Sequence, residues 1–154
     1  MQFEFQPMND DDARPIAAWH YEPPYDFYDM AQDPDDLAEL LDPQSRTERY
    51  YAIHDEQGSL VGLFTFIRVD AETLEIGLGL HPDLTGKKLG AGFLVAGLDF
   101  GRQHFAPLRF LLRVATFNTR AIRLYEKVGF RPVQTFPHRT NGGEFEFLSM
   151  IREA

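Results

Sequence analysis

Residues 74–100 read LEIGLGLHPDLTGKKLGAGFLVAGLDF, and this stretch decides the fold. Its first seven residues alternate apolar side chains with glutamate and glycine, which is the period of a strand with one apolar face. Pro82 cannot donate to a sheet ladder, so the strand ends there. Beyond the turn, apolar residues recur at helical spacing. The stretch therefore predicts a strand, a sharp turn, and a helix from Lys88 to about His104.

The turn between this strand and this helix predicts an anion site. The first amide hydrogens of a helix have no intrahelical partner and lie at the positive end of its dipole, so they attract phosphate groups. Lys87 and Lys88 add positive charge. The turn is not a P-loop, because His81 and Lys88 stand where that motif needs Gly and Ser or Thr. Nor do its glycines have the spacing of a dinucleotide fingerprint.

Two segments together resemble the GNAT acetyltransferase superfamily. Residues 85–90, TGKKLG, are similar to its acetyl-CoA pyrophosphate loop, in which Arg or Gln is followed by two residues, Gly, one residue, and Gly or Ala. Thr85 and Lys88 depart from that pattern, standing where Arg or Gln and Gly are usual. Residues 118–130, NTRAIRLYEKVGF, resemble the second signature, an Asn-initiated helix ending in Tyr-Glu-Lys-x-Gly-Phe. The resemblance extends from about Arg49 to the C-terminus.

The predicted architecture is a single GNAT-like domain over residues 1–154, of mixed α/β (α+β) class. It has a central mixed, mostly antiparallel sheet with helices on both faces. Pro15 is expected only in the first turn of the first helix. Pro137, with the Asn-Gly turn of residues 141–143, is expected to separate the last two strands. The predicted strands are residues 2–8, 49–54, 59–69, one beginning at 74, 108–115, 130–136 and 144–151.

Composition narrows the class of protein further. The chain has 154 residues, 44% of them hydrophobic, which predicts one globular domain with a substantial core. A net charge of -9 argues against a nucleic-acid partner. The absence of cysteine excludes disulfides and a thiol nucleophile, and the five histidines show no metal spacing, so no metal is expected. With neither a leader nor a membrane-spanning run, a cytoplasmic protein without a membrane partner is expected. A homodimer is left open.

The resemblance implies acetyl transfer from acetyl-CoA to a primary amine by direct attack, with no covalent enzyme intermediate. The attacking amine must lose a proton, and Glu75, beside the thioester, is the candidate base, with Glu72 in reserve. The alternative is that Glu75 is a solvated or ion-paired carboxylate. Tyr125 is the candidate acid that protonates the departing CoA thiolate. Its alternative is a core residue on the apolar face of its helix.

The resemblance also assigns the acetyl-CoA contacts. The main chain around Leu78 and Leu80 would hold the thioester oxygen and pair with the pantetheine arm. The two glycines of this strand, Gly77 and Gly79, allow close approach of a ligand, or only flatten the strand. Asn118 either contacts CoA or only caps its helix. The pyrophosphate would lie on the amides of the loop, including those of Thr85 and Gly86. The assigned loop residues are Thr85, Gly86, Lys87, Lys88, Leu89, Gly90 and Ala91.

An aromatic segment, residues 19–30, predicts the wall of the acceptor pocket. Two prolines exclude a regular helix there, and by resemblance this segment borders the acceptor side of the cleft. The alternative is that its rings only plug the core. The acidic balance favours a small cationic amine, although a protein N-terminus or lysine is a second candidate. The departures at Thr85 and Lys88 support a non-catalytic acyl-CoA-binding or sensing domain as the rival function. The candidate wall residues are Trp19, Tyr21, Tyr25 and Tyr28.

Overall fold

Seven strands form one mixed sheet in the computed structural model, which describes residues 1–154. The strand order is β1-β2-β3-β4-β5-β7-β6, and only the β4–β5 pair is parallel. The crossover helix between β4 and β5 makes them parallel, as predicted. The strands are β1 (Glu4–Pro7), β2 (Tyr50–His54), β3 (Leu60–Arg68), β4 (Thr73–Leu80), β5 (Arg109–Ala115), β6 (Arg131–Thr140) and β7 (Gly143–Glu153).

Helices cover both faces of the sheet, which confirms the predicted fold class. The first two pack their apolar stripes with β2 and β3 in a small core. The last two lie over the opposite face, on a larger core built from β3, β4 and β5. None of the helices combines the length and apolar character needed to span a bilayer. The helices are α1 (Asp10–Ala17), α2 (Pro34–Leu41), α3 (Pro43–Arg46), α4 (Gly90–Phe105) and α5 (Thr119–Lys127).

The predictions for the two prolines are wrong. Pro15 lies beyond the first turn of α1, and this is tolerated because it is exposed and the Asp11 carbonyl that it leaves free is on the solvent side. Pro137 lies within β6, where it pairs with Glu146 of β7. It does not end the strand because β6 is at the edge of the sheet and has no further neighbour that needs an amide hydrogen.

Helix α4 lies close to the sheet because two glycines meet two phenylalanines across the contact. A Cβ at Gly97 would overlap the ring of Phe64, and one at Gly62 on β3 would lie 2.5 Å from the ring of Phe93 on α4. The Phe64 and Phe93 rings themselves lie 4.7 Å apart between their centroids. This contact fixes the distance and register of α4 on the sheet, and so it fixes where the helix begins.

We expect Gly97→Ala to lower the free energy of unfolding by about 1–3 kcal/mol, because the added methyl group displaces the buried Phe64 ring. Gly92→Ala on the same helix is the matched control. No atom lies within 4 Å of its added Cβ, so it is expected to stabilise by about 0.5 kcal/mol. Urea unfolding measures both values. Equal effects of the two substitutions would show that close packing at Gly97 does not hold the helix.

Candidate active site

The sheet splits between its two parallel strands. β4 and β5 pair over only three residues, from Thr73–Arg109 to Glu75–Leu111, although both strands run on beyond that point. A cleft with a cavity volume of about 430 Å³ lies along the separation. It is lined by the upper halves of β4 and β5, by the aromatic segment, by α5, and by the β6–β7 hairpin. The cleft thus lies where the two parallel strands separate.

The free edge of β4 presents main-chain groups to this cleft. The Val69 amide donates to the Thr73 carbonyl and the His81 amide to the Val61 carbonyl, so odd-numbered residues of β4 bond to β3. In a regular antiparallel ladder the even-numbered residues then point to the other side. The amides of Leu78 and Leu80 therefore face the split. The Tyr21 hydroxyl donates to the Leu80 carbonyl at 2.7 Å.

The two glycines on β4 make room for side chains of this chain. A Cβ at Gly77 would lie 2.5 Å from Thr65 Oγ1, and one at Gly79 would lie 3.0 Å from Leu63 and 3.5 Å from the Tyr21 hydroxyl. The tight contact at Gly79 is with Leu63 of β3, since 3.5 Å from the Tyr21 hydroxyl is an ordinary van der Waals distance. The neighbouring strand β3 therefore favours glycine at both positions. Sequence reasoning left open a close ligand approach or a flat strand, and the structure adds this third reason.

The loop that precedes α4 is rich in unpaired amides. The backbone N–H groups of residues 86–92 donate to no acceptor within the protein. Leu89, the N-cap residue of α4, makes no side-chain capping hydrogen bond that would compete for them. Thr85 differs from the expectation, because its amide and hydroxyl both donate to the Pro82 carbonyl. Even without Thr85, a run of amides at a helix N-terminus fits a pyrophosphate.

Lys88 has the backbone conformation that the resemblance would give to a glycine. Its φ is +62°, in the left-handed region, and that of Gly86 is +74°. The loop therefore has left-handed turns at both positions, and the departure at Lys88 changes the side chain rather than the path of the chain. The Lys87 and Lys88 side chains are exposed. Because a left-handed lysine is strained, some stability is lost at this position.

Helix α5 brings Tyr125 to the cleft. Asn118 caps the helix, its side-chain oxygen accepting a hydrogen bond from the Ala121 amide at 3.1 Å. Tyr125 lines the cleft, packs against Phe130 with ring centroids 6.2 Å apart, and its hydroxyl has no protein hydrogen-bond partner. Burial, and secondarily the neighbouring Tyr28, raises the pKa of Tyr125. The phenol is therefore a proton donor rather than a base at neutral pH.

All four predicted aromatic residues of the acceptor wall line the cleft: Trp19, Tyr21, Tyr25 and Tyr28. Two of them are tied to α5. The Tyr28 hydroxyl accepts hydrogen bonds from the Ala115 amide and from Asn118 Nδ2, each at 3.3 Å. The Arg120 guanidinium lies 3.9 Å from the centroid of the Tyr25 ring. The acceptor wall is thus fastened to the N-terminus of the helix that carries Tyr125.

The β6–β7 hairpin closes the cleft, and sequence reasoning missed this role. His138, Thr140, Asn141 and Phe147 line the cleft, more than 100 residues after the aromatic segment. The Asp33 carboxylate accepts hydrogen bonds from the Thr140 hydroxyl and the Asn141 amide at 2.8 and 3.2 Å. These bonds, Thr140 foremost, lower the pKa of Asp33. The Asn-Gly turn signal predicted the hairpin tip, but no local signal indicates that the tip folds over the acceptor wall.

Glu75 occupies an ion pair rather than a free position at the cleft. One of its carboxylate oxygens accepts hydrogen bonds from the Nε and Nη2 atoms of Arg113, both at 2.9 Å. Arg113 is among the residues that line the cleft, and Glu75 is not. The reserve candidate, Glu72, is likewise paired, with Arg109 at 3.1 Å. The structure therefore favours the ion-paired alternative for Glu75, and its role as the base is not supported by geometry.

Two carboxylates lie on the aromatic side of the cleft, where Arg120 also lies. Asp36 stands at the rim with no hydrogen-bond donor on its carboxylate, and its partial burial, followed by the charges of Asp33 and Glu39, raises its pKa. Asp29 is more deeply placed and accepts hydrogen bonds from the Tyr21 amide and His20 Nδ1. No group of three or more histidine, aspartate and glutamate side chains has a geometry that could hold a metal ion.

A mixed sheet split between β4 and β5, with an amide-rich loop at the end of the split strand, places a free strand edge and a group of amides that can bind an anion in one cleft. The profile of the family described as "Acetyltransferase (GNAT) domain" matches residues 2–131. The chain therefore belongs to the GNAT acetyltransferase family, and the resemblance of its two motifs is confirmed. The family uses acetyl-CoA.

Individual relatives are more distant. Spermidine N(1)-acetyltransferase of Vibrio cholerae is 27% identical over 121 residues, which are 76% of this chain and 66% of that protein. Mycothiol acetyltransferase of Acidimicrobium ferrooxidans is 35% identical over 86 residues, which are 52% of this chain and 27% of that protein. The matched region thus spans just under two thirds of the length of the spermidine N(1)-acetyltransferase and about a quarter of the length of the mycothiol acetyltransferase.

A crystal structure of the Vibrio cholerae spermidine N-acetyltransferase with CoA and spermine superposes with a TM-score of 0.74 at 21% identity. The superposition covers 99% of this chain and 95% of that one. At this identity the match establishes the fold.

We expect Lys88→Gly to stabilise the fold by about 0.5–1 kcal/mol, because glycine adopts the left-handed conformation of this position without steric cost. Gly86→Ala is the matched opposite, since it introduces a side chain at φ +74° and is expected to destabilise by about 1 kcal/mol. Thermal unfolding measures both shifts. Destabilisation by Lys88→Gly would mean that the lysine side chain makes stabilising contacts.

Proposed function

We propose that this protein transfers an acetyl group from acetyl-CoA to a primary amine of a small cationic acceptor. The observation that carries the proposal is the free edge of β4 facing Tyr125 across one cleft. Backbone amides on one side and a proton donor on the other are the two elements that thioester aminolysis requires. The resemblance in sequence predicted the same pair, and family membership supports it.

The cosubstrate side of the cleft suits acetyl-CoA. The free amides of residues 86–92 would hold the pyrophosphate, with Lys87 and Lys88 adding charge of the right sign. The outward-facing amides of Leu78 and Leu80 would pair with the pantetheine arm or the thioester oxygen. If the pantetheine arm also donated a hydrogen bond to the Leu80 carbonyl, that carbonyl would have to accept two hydrogen bonds or lose the one from the Tyr21 hydroxyl. Acetyl-CoA supplies an activated acyl group, so the protein needs no nucleophile of its own.

The transfer step balances with groups present at the site. The lone pair of the neutral amine attacks the carbonyl carbon, and the resulting oxyanion is held by the β4 amides. Collapse of this intermediate breaks the carbon–sulfur bond and releases the CoA thiolate. The Tyr125 hydroxyl gives its proton to the sulfur, because burial keeps the phenol protonated until that moment. The acylated nitrogen loses one proton to solvent or a base, and solvent returns one proton to the phenoxide, so that the cycle closes. The absence of cysteine from the chain is consistent with direct attack.

The acceptor side suits a cation. Asp36 has no cationic partner, and Asp29 and Asp33 lie on the same side of the cleft. An aromatic wall beside carboxylates favours alkylammonium groups through both charge and cation–π contacts. Spermidine, after which the Vibrio cholerae relative is named, is a molecule of this kind. We therefore propose a small polyamine or diamine as the acceptor.

The test is the release of free CoA thiol from acetyl-CoA with a panel of amines. The panel contains diamines and polyamines, neutral monoamines, amino acids, and lysine-containing peptides. Turnover with polyamines above the other classes supports the proposal. A midpoint of thermal unfolding that rises with acetyl-CoA but no turnover with any amine would instead identify a non-catalytic sensing domain. Preference for peptides would identify a protein acetyltransferase.

Tyr125→Phe is expected to lower kcat by about 10²–10⁴, because the variant keeps the ring packing against Phe130 but removes the proton donor. The rise in unfolding midpoint produced by acetyl-CoA should stay as in the wild type. Steady-state thiol release gives the first quantity and thermal unfolding the second. An unchanged kcat would mean that Tyr125 is only a core residue.

Asp36→Asn is expected to raise KM for a cationic acceptor by about fivefold, which corresponds to the ~1 kcal/mol of a solvent-screened charge pair. Asp35→Asn is the matched control, because both residues lie in the first turn of α2 and only Asp36 lines the cleft. The KM for acetyl-CoA should not change in either variant. The same KM increase in both variants would mean that the overall negative charge of the protein attracts the acceptor, and that Asp36 makes no specific contact with it.

A further inference from the structure

His138 is an unassigned titratable group inside the cleft. It lies on β6, near the tip of the hairpin that folds over the acceptor wall, and it lines the same cavity as Tyr125. Its ring packs in a cluster with two aromatic side chains, with centroids 4.7 Å from Phe147 and 6.1 Å from Phe136. The ring orientation is therefore set by packing and not by a hydrogen bond.

Neither ring nitrogen of His138 has a partner in the protein. No hydrogen bond or ion pair engages the side chain, and neither nitrogen belongs to the buried atoms without a partner. Both nitrogens therefore retain some accessible surface, on a residue that lines the cleft. By contrast, the other histidine nearest the acceptor wall, His20, is engaged by Asp29 at 2.6 Å.

Three charged groups from three elements act on His138. Burial, followed by the positive charge of Arg113 on β5, lowers the pKa of His138, whereas Asp33 before α2 and Glu75 on β4 oppose the shift. The imidazole is therefore neutral at pH 7, with a free lone pair. Glu75 and Asp33 are less suited to accept a proton, since Glu75 is bound by Arg113 and Asp33 by the hairpin. Asp36 is unpaired, but it lies at the rim of the cleft and is assigned to binding the cation.

We propose that His138 is the general base of the acetyl transfer, acting on the attacking nitrogen directly or through one water molecule. As the new carbon–nitrogen bond forms, the nitrogen becomes positively charged and far more acidic than a free ammonium group, and His138 takes one of its protons. Tyr125 gives its proton to the CoA sulfur in the same cycle. The proton on His138 then returns to Tyr125 through solvent, so that no proton is gained or lost. This inference rests on the proposed function.

The experiment compares wild type with His138→Gln in pH profiles of kcat/KM, calculated on the concentration of neutral amine. For wild type this quantity should be constant at neutral pH and fall below a pKa that lies under 6.5, the ordinary value for histidine. In His138→Gln, kcat at neutral pH should drop by about 100-fold or more, and the acid limb should disappear. His104→Gln, an exposed histidine on α4 outside the cleft, is the matched control and should behave as wild type.

A second arm leaves His138 in place. Glu75→Gln removes a negative charge that raises the pKa of His138, so the acid limb should move to lower pH while turnover persists. This arm decides the matter if His138 variants do not fold, which loss of the acetyl-CoA-dependent midpoint shift would reveal. If Glu75→Gln loses turnover but still shows the acetyl-CoA-dependent midpoint shift, Glu75 is the base and the proposal is overturned.

The outcomes separate the two proposals. If wild type turns over and His138→Gln keeps the same rate and the same acid limb, the role of His138 is overturned. The proposal of acetyl transfer is unaffected by that result. No thiol release from wild type with any amine overturns both. Loss of the limb together with a lower kcat, at an unchanged KM for acetyl-CoA, supports the base. A merely structural role would change the rate without removing the limb.

Discussion

The separation of β4 from β5 after three paired residues is the constraint on which the rest of the structure depends. A strand edge inside a domain carries amide and carbonyl groups that must find partners. Closing the sheet would satisfy them and leave no cleft, whereas the open edge requires a ligand or a side chain from elsewhere. Tyr21 supplies one such partner to the Leu80 carbonyl. The remaining groups stay available to a ligand that lies along the strand.

The cleft keeps its shape because each wall is anchored to a neighbouring element. Helix α4 is held close to the sheet by the contact of Gly97 with Phe64, and this sets the position of the free amides at its start. Asn118 connects two walls, since its Oδ1 caps α5 and its Nδ2 donates to Tyr28. Asp33 has a similar double role, capping α2 and binding the hairpin tip. The catalytic geometry therefore rests on a few polar side chains with two partners each.

Local pattern in the sequence predicted much of this fold. Alternation in β4, helical spacing in α4, and capping residues such as Asn118 depend on near neighbours, so they can be read along the chain. The two motifs also predicted the loop and Tyr125. Contacts across the fold could not be read in the same way. Nothing near Glu75 indicates that Arg113, 38 residues away, takes its carboxylate. His138 was missed because a single histidine on an edge strand has no periodic signal.

The two ends of the cleft differ in charge, so one favours an anionic ligand and the other a cationic ligand. The amide-rich loop and its two lysines attract phosphate, whereas the opposite wall carries Asp29 and Asp36 together with the Arg120 guanidinium on Tyr25. Because the chain has a net charge of -9, its overall electrostatic potential attracts a cation. An anionic cosubstrate is attracted only by the positive potential of the loop before α4. Because the two halves meet at the split, the cationic and anionic ligands can come together only where β4 offers its amides. In the proposed reaction, the position of the split in the sheet thus fixes both where the acyl group would be held and from which side the amine would arrive.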